Sequence, residues 1–353
     1  MAQGPTTART HGPISVIGAG IAGTWQALML ANAGRSVTLY DGRARTPHAH
    51  DAGHWAGGML APHCEGETAE PVVVRLGVRS LALWKDALPD TPMNGSLVVA
   101  HGRDRADLDR FAKRTSGYRM LVGAELGALE PMLDGRFGEG LFYADEGRVE
   151  PRRDLPRLHA CLREAGVTIH ERAKEPSECE GVVIDCRGLG ARDTPEGRDL
   201  RGVKGETVMI ETHELALSRP VRLLHPRHPI YVIPRSDGRF LIGATSIESE
   251  DVGVSVRSVL ELLSAAYSIH PAFAEARVVE VGAGLRPAYP DNLPRIQVRG
   301  DHISVNGLYR HGFLLAPALA EILTAYLQRG EIDQEVMRCA SFPLPAMGSP
   351  TCG

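Results

Sequence analysis

Aromatic residues are scarce in this chain: Phe, Trp and Tyr together make up 5% of 353 residues. That argues against the stacking surfaces that hold bases or sugars. Positive charge is not in excess either. The formal net charge is −4, so no strong positive field exists to hold nucleic acid or an anionic membrane. The six cysteines (Cys64, Cys161, Cys179, Cys186, Cys339 and Cys352) are scattered, with no C-x-x-C pair and no metal-ligand spacing. A disulfide scaffold and a metal centre are therefore not predicted, and the usage is that of a reducing compartment. The longest apolar stretch, 312–327, contains Pro317 and Glu321 and is too short to span a bilayer. The first thirteen residues are polar and broken by Pro and Gly, unlike the apolar core of a signal peptide. A cytoplasmic protein without nucleic-acid or membrane partners is expected. Glycine (39) and proline (24) recur without a period, which excludes collagen-like and linker readings.

What is present is ordinary globular composition, 43% hydrophobic and 23% charged, at a length that suggests two domains. Residues 13–18 read as a short buried strand, because Ile14, Val16 and Ile17 are β-branched and bounded by Pro and Gly. A helical pattern follows with Ile21, Trp25 and Leu28 on one face and Gly34 as its stop. A second strand at 36–40 ends at Asp41 and completes a βαβ opening. Further strands are predicted at 96–100, 167–170, 181–186, 206–211, 229–234, 240–244, 277–282 and 303–306, and helices at 76–88, 154–165, 255–266 and 312–329. The order predicts a discontinuous dinucleotide-binding domain from 13–75, 150–204 and 286–335. A β-rich second domain comes from 76–149 and 205–285, and 1–12 and 340–353 are expected to be disordered.

Gly18, Gly20 and Gly23 stand between strand and helix. Gly18 permits the tight turn, Gly20 lets the backbone approach a pyrophosphate, and Gly23 allows close helix packing. The helix start at Ile21 and Ala22 supplies N–H groups for the phosphates. Asp41, 23 residues after Gly18, is placed to accept hydrogen bonds from a ribose hydroxyl and to repel a 2′-phosphate. The plainer reading is a set of turn and packing glycines in an ordinary βαβ unit. Nor does the fingerprint alone separate FAD from NAD.

Three more segments bear on that choice: Trp55-Ala-Gly-Gly-Met-Leu-Ala-Pro62, Gly284-Leu-Arg-Pro287 ahead of Asp291-Asn-Leu-Pro294, and Asn306-Gly-Leu-Tyr-Arg-His-Gly-Phe-Leu-Leu-Ala-Pro317. With the N-terminal fingerprint, this set resembles the FAD-dependent D-amino acid oxidase superfamily, most closely its glycine oxidase branch, which serves thiamine biosynthesis. The resemblance runs from about residue 13 to 330. It implies a fold of α/β and α+β character, with a Rossmann-like FAD-binding domain and a β-rich substrate domain. It also implies that Gly57, Gly58 and Met59 lie against the ribityl chain and flavin edge, where a plain Gly-rich turn is the alternative. Gly188 belongs to a second strand-to-glycine turn against the cofactor. Gly307, Tyr309, Arg310, His311, Gly312, Phe313 and Leu314 place a helix start at the flavin N1–C2=O edge, where a helix N-terminus stabilises negative charge.

The resemblance further implies oxidation of glycine or a related small amino acid, with hydride leaving Cα for flavin N5. The imine is then hydrolysed to the oxo acid or passed to thiazole synthesis, and dioxygen as acceptor yields hydrogen peroxide. Arg286 matches the carboxylate-binding arginine, Tyr231 a second donor to that carboxylate, and Arg310 an arginine near flavin and substrate. An arginine's planar fork suits a carboxylate. Each residue has a plainer reading: an exposed turn arginine for Arg286, a strand aromatic for Tyr231, an ion-pair partner between the domains for Arg310. Ser246 departs from the methionine usual in glycine oxidases and enlarges the pocket or adds a hydrogen bond. Leu308 and His311 replace the more usual His and Asn, and His311 is either a substrate contact or a structural histidine. Alternatives left open are a dehydrogenase of D-amino acids or secondary amines with a non-oxygen acceptor, a tRNA-modifying flavoprotein, and an NAD-dependent dehydrogenase. A homo-oligomer is also left open.

Overall fold

The computed structural model describes residues 12–42 and 51–339. The termini expected to be disordered lie outside the described residues, apart from Gly12. Among the described residues seventeen strands form two large sheets and one short ribbon. The first sheet holds, in spatial order, β17 (Met337–Cys339), β15 (Arg295–Arg299), β16 (His302–Asn306), β9 (Val182–Asp185), β1 (Ile14–Ile17), β2 (Val37–Tyr40) and β8 (Thr168–His170). Its centre is parallel: β1 pairs with β2 and β9, and β9 with β16. All four residues of β1 are buried, as expected of a strand covered on both faces.

The second sheet runs β14 (Arg277–Ala288), β10 (Arg201–Glu211), β13 (Arg239–Gly243), β12 (Ile230–Pro234), β11 (Val221–Leu224), β4 (Ser96–Ala100), β6 (Glu139–Tyr143) and β5 (Arg119–Val122). It is antiparallel except where β11 meets β4. The ribbon joins β3 (Met59–Leu60) to β7 (Gly147–Arg148). This is the α/β architecture with a second, β-rich layer that the sequence predicts. The first sheet is drawn from the start, a middle piece and the end of the chain.

Among the described residues eight α-helices complete the fold: α1 (Ile21–Asn32), α2 (Pro62–Glu65), α3 (Pro71–Ala87), α4 (Arg105–Arg114), α5 (Ala124–Leu129), α6 (Pro151–Glu164), α7 (Val256–Ile269) and α8 (Gly312–Arg329). Helix α8 packs on α1 and α3, with Trp25, Trp84 and Phe313 in one core. Pro317 lies inside α8 and has no N–H to offer the Phe313 carbonyl four residues back. The Trp84 indole N–H takes that place, donating to the Phe313 oxygen at 2.8 Å. Helix α7 covers β10, β12 and β13 of the second sheet. Among the described residues no helix is long and apolar enough to cross a membrane.

Candidate active site

A cavity of about 1240 Å³ runs between the two sheets, from Asp41 at one end to Arg286 and Tyr231 at the other. At the first end, Gly18 adopts φ +97°, and a Cβ there would lie 2.7 Å from the Cys186 carbonyl oxygen. A Cβ on Gly23 would come within 1.9 Å of the Gly18 oxygen. These two glycines let β1, α1 and the turn after β9 close on one another. Helix α1 starts after Gly20 with no side-chain cap and no acid in its first turn. Its N–H groups open on the cavity beside Gly18, Gly20, Ile21 and Ala22, an arrangement suited to a phosphate. Asp41 lines the same space, its backbone N–H donating to the His170 carbonyl at 2.8 Å. Across from them, Asn306 ties the end of β16 to Gly188, whose oxygen accepts from Nδ2 at 2.9 Å.

The chain from 51 to 60 then crosses to the second sheet. Asp51 bridges to Leu285, and Trp55 lies over Gly282, where a Cβ would sit 2.0 Å from its ring. Gly57 rests on Tyr231 and Ile233, and Gly58, at φ +68°, faces the Val149 oxygen. Arg235 holds this loop in place, donating to the carbonyls of Gly57 at 2.6 Å, Ala56 at 3.3 Å and Val149 at 2.9 Å. Met59, Tyr309, Gly312, Phe313 and Leu314 line the cavity beside it. Gly307 and Gly23 do not. They act through packing, and Gly307 at φ +75° lies against the Tyr289 ring.

At the inner end, Arg286 stands on β14. The expected strand stops at 282 and leaves Arg286 in a turn; the observed one runs on to Ala288, paired along its length with β10. Pro287 is tolerated because β14 is an edge strand. The Arg286 guanidinium lies over Gly205, where a Cβ would be 1.9 Å from Nη2. It donates to the Thr245 carbonyl at 3.1 Å and approaches the Lys204 carbonyl at 3.5 Å. Among the described residues it makes no ion pair. Burial pulls its pKa down, opposed by Tyr231 and Tyr309, yet a guanidinium stays charged near neutrality. Tyr231, on β12, lies over Gly243 of β13, where a Cβ would be 2.7 Å from the hydroxyl. That hydroxyl has no hydrogen bond among the described residues. Burial pushes its pKa up, against the pull of Arg286, so it stays a donor. The outcome is a cation and a neutral O–H without an acid partner, which is what an incoming carboxylate requires.

Ser246 and Tyr309 share a hydrogen bond between hydroxyls at 3.1 Å on the same cavity wall. Arg310 also lines the cavity, but its Nη2 is held 2.8 Å from Glu65 Oε2 and donates to Thr68 Oγ1 at 2.8 Å. His311 Nε2 is 2.9 Å from the same Glu65 oxygen. Its Nδ1 is buried without a partner among the described residues, at the start of a helix that lacks a side-chain cap.

Several contributors were not visible in the sequence. Glu65 and Arg222, which pair at 2.9 Å, are far apart in the chain and carry no local motif. The buried Lys204–Glu206 pair, 3.3 Å apart, had a signal: two charges at i and i+2 on one face of an apolar strand. Glu206 accepts from Thr245 Oγ1 at 3.1 Å and from the Ser255 N–H at 2.9 Å. It thereby fixes the segment whose carbonyl holds Arg286.

A family model described as DAO, FAD dependent oxidoreductase, matches residues 14–326. A thiamine biosynthesis oxidoreductase ThiO of Rhizobium etli is 52% identical over 310 residues, covering 87% of this chain and 94% of the relative. A glycine oxidase of Geobacillus kaustophilus is 27% identical over 366 residues, covering 90% of this chain and 93% of its own. Among solved structures, the glycine oxidase from Geobacillus kaustophilus aligns with a TM-score of 0.74 at 23% identity, covering 90% of this chain and 95% of that one. That last likeness is one of fold.

Proposed function

The chain belongs to the FAD-dependent oxidoreductase family, and on that premise we propose that it oxidises glycine or a related small amino acid to the imine. The imine is then hydrolysed to the oxo acid and ammonia, or supplied to thiamine thiazole synthesis in the cytoplasm. The names of the Rhizobium relative and of the glycine oxidase support this reading.

The cavity suits FAD on its own geometry. The uncapped, glycine-lined start of α1 would hold the pyrophosphate and Asp41 the ribose. The Gly57-Gly58-Met59 loop and the α8 start, with a His311 Nδ1 that has no partner among the described residues, would border the flavin. When bound, FAD would accept two electrons and a proton from the substrate's Cα–H, and these, with a second proton from the amine or solvent, would reduce an acceptor, here dioxygen, to hydrogen peroxide. The first sheet with its helices serves as the FAD-binding part, and the second sheet as the substrate part.

The observation that carries the reading is Arg286, a charged group on the cavity wall that pairs with no carboxylate among the described residues, beside the Tyr231 hydroxyl, which has no hydrogen bond among them. Together they present donors to one carboxylate and fix the amino acid by that end, so its Cα and amine point to one place in the cavity. Ser246, hydrogen-bonded to Tyr309, leaves room for a small substituent and sets the choice among glycine, sarcosine, D-alanine and D-proline. A peroxide assay of the FAD-loaded protein across these four tests the reading. Turnover of at least one supports it, and none with bound FAD contradicts it.

A further inference from the structure

Two of the cations lining the cavity share one acid. Glu65 ends α2, Arg222 stands on β11, and Arg310 lies in the turn ahead of α8, so three distant parts of the chain meet at a single carboxylate. Arg222 Nη2 donates to Oε1 at 2.9 Å, while Arg310 Nη2 and His311 Nε2 approach Oε2 at 2.8 and 2.9 Å. Burial alone would raise the Glu65 carboxyl, but Arg310, His311 and Arg222 hold it well below the usual carboxylate range. Both oxygens are therefore occupied by the protein, and both guanidinium groups are held on them. Arg286 differs: Arg310 and Glu65 lie near enough to act on its charge, yet none of its nitrogens reaches a carboxylate among the described residues. Arg227 and Arg257 line the cavity too, but they are exposed, where water and salt screen them.

We propose that Glu65 is a specificity-determining residue that restricts the substrate to a single carboxylate. By holding Arg310 and Arg222 it leaves Arg286 as the inner-cavity cation that, among the described residues, no carboxylate pairs, and its own charge repels a second acid group on the substrate. Dicarboxylic amino acids are rejected by a fixed negative charge as well as by the lack of a second anchor. The inference rests on Arg286 being the substrate's carboxylate anchor.

The test is calorimetric titration of the FAD-loaded protein with two probes, acetate and malonate. In the wild type acetate binds through Arg286, malonate, repelled by Glu65, binds more weakly, and Arg286→Ala abolishes both. In Glu65→Gln, Arg310 is released to meet the second carboxylate, and malonate tightens by about tenfold or more relative to acetate. Loss of structure alone cannot produce that gain. Equal changes for both probes, or weaker malonate binding, overturn the inference while leaving the Arg286 anchor intact. Acetate binding that survives Arg286→Ala refutes the anchor itself and the inference with it. If Glu65→Gln does not fold, the double variant Glu65→Gln/Arg222→Gln removes the stranded buried cation and carries the same test through Arg310.

Discussion

Gly205 and Arg286 are fitted to one another: a Cβ on residue 205 would lie 1.9 Å from Arg286 Nη2 and 2.3 Å from Cζ. The glycine's role here is space, since a bare backbone lets the guanidinium lie flat on β10 within reach of the Thr245 carbonyl. Gly205→Ala should therefore push the guanidinium aside, a move its flexible stem allows without unfolding the sheet. The expected result is a KM for the amino acid raised by about tenfold, or about 1.4 kcal/mol, with the unfolding temperature little changed. Steady-state kinetics and thermal denaturation on the same preparation check this. An unchanged KM would show that the position of Arg286 does not matter.

Arg235 holds the Gly57-Gly58 loop by three carbonyl oxygens on two segments of chain. No lysine makes the same fork. Arg235→Lys should loosen the loop and weaken retention of FAD by about 1–2 kcal/mol, a rise of roughly tenfold in Kd. Fluorescence of FAD released on dilution measures it directly, and tight retention in the variant would mean that the loop needs no such support.

Trp84 supplies the donor that Pro317 withholds from the Phe313 carbonyl, and its ring stacks on Phe313 at an interplanar angle of 17°. Trp84→Phe keeps a ring in the core and strands a buried carbonyl. A loss of about 1–3 kcal/mol is expected. Chemical denaturation measures that loss. Pro317→Ala in the same background should recover part of it, because alanine restores the helical N–H.

Glu146 is fully buried. Its oxygens accept from the Cys64 N–H at 2.8 Å and from the Ser96 hydroxyl. Burial pushes its carboxyl up to about 7. A folded-state value above the unfolded one means that its contribution is complete below about pH 4.5 and lost as pH rises through about 7. The loss amounts to about 3 kcal/mol. Glu146→Gln cannot ionise, so its stability relative to the wild type should improve by about that amount between pH 5 and pH 8. Denaturant titrations of both proteins at the two pH values decide it, and a difference that does not move with pH would show Glu146 to be charged throughout.

Local signals and long-range ones fared differently. Helix α8 is predicted and observed at Gly312–Arg329, because an unbroken apolar face ends at Arg329 and a left-handed Gly330. The pattern predicts Ser255 as the first residue of a helix, and the structure makes it the N-cap of α7, accepting from the Ser258 N–H at 3.1 Å. By contrast, β10 begins at Arg201, five residues before the predicted start, because Lys204 and Glu206 hide the apolar pattern of a buried strand. Their mutual charge and the loop they hold make them affordable inside. The glycines at 205, 243 and 282 read as ordinary small residues until the side chains lying over them are seen. Glu65 meets Arg310 across most of the chain's length, and no spacing announces such a pair.

The measurement that bears most directly on the central claim is an anaerobic titration of the yellow, FAD-loaded protein with glycine, followed in the visible flavin band near about 450 nm. The account predicts bleaching in the wild type at modest glycine concentration. In Arg286→Ala bleaching should require a concentration higher by about thirtyfold or more, equivalent to about 2 kcal/mol of lost charge-assisted binding. Bleaching at the same concentration in both proteins would contradict the claim that Arg286 holds the substrate.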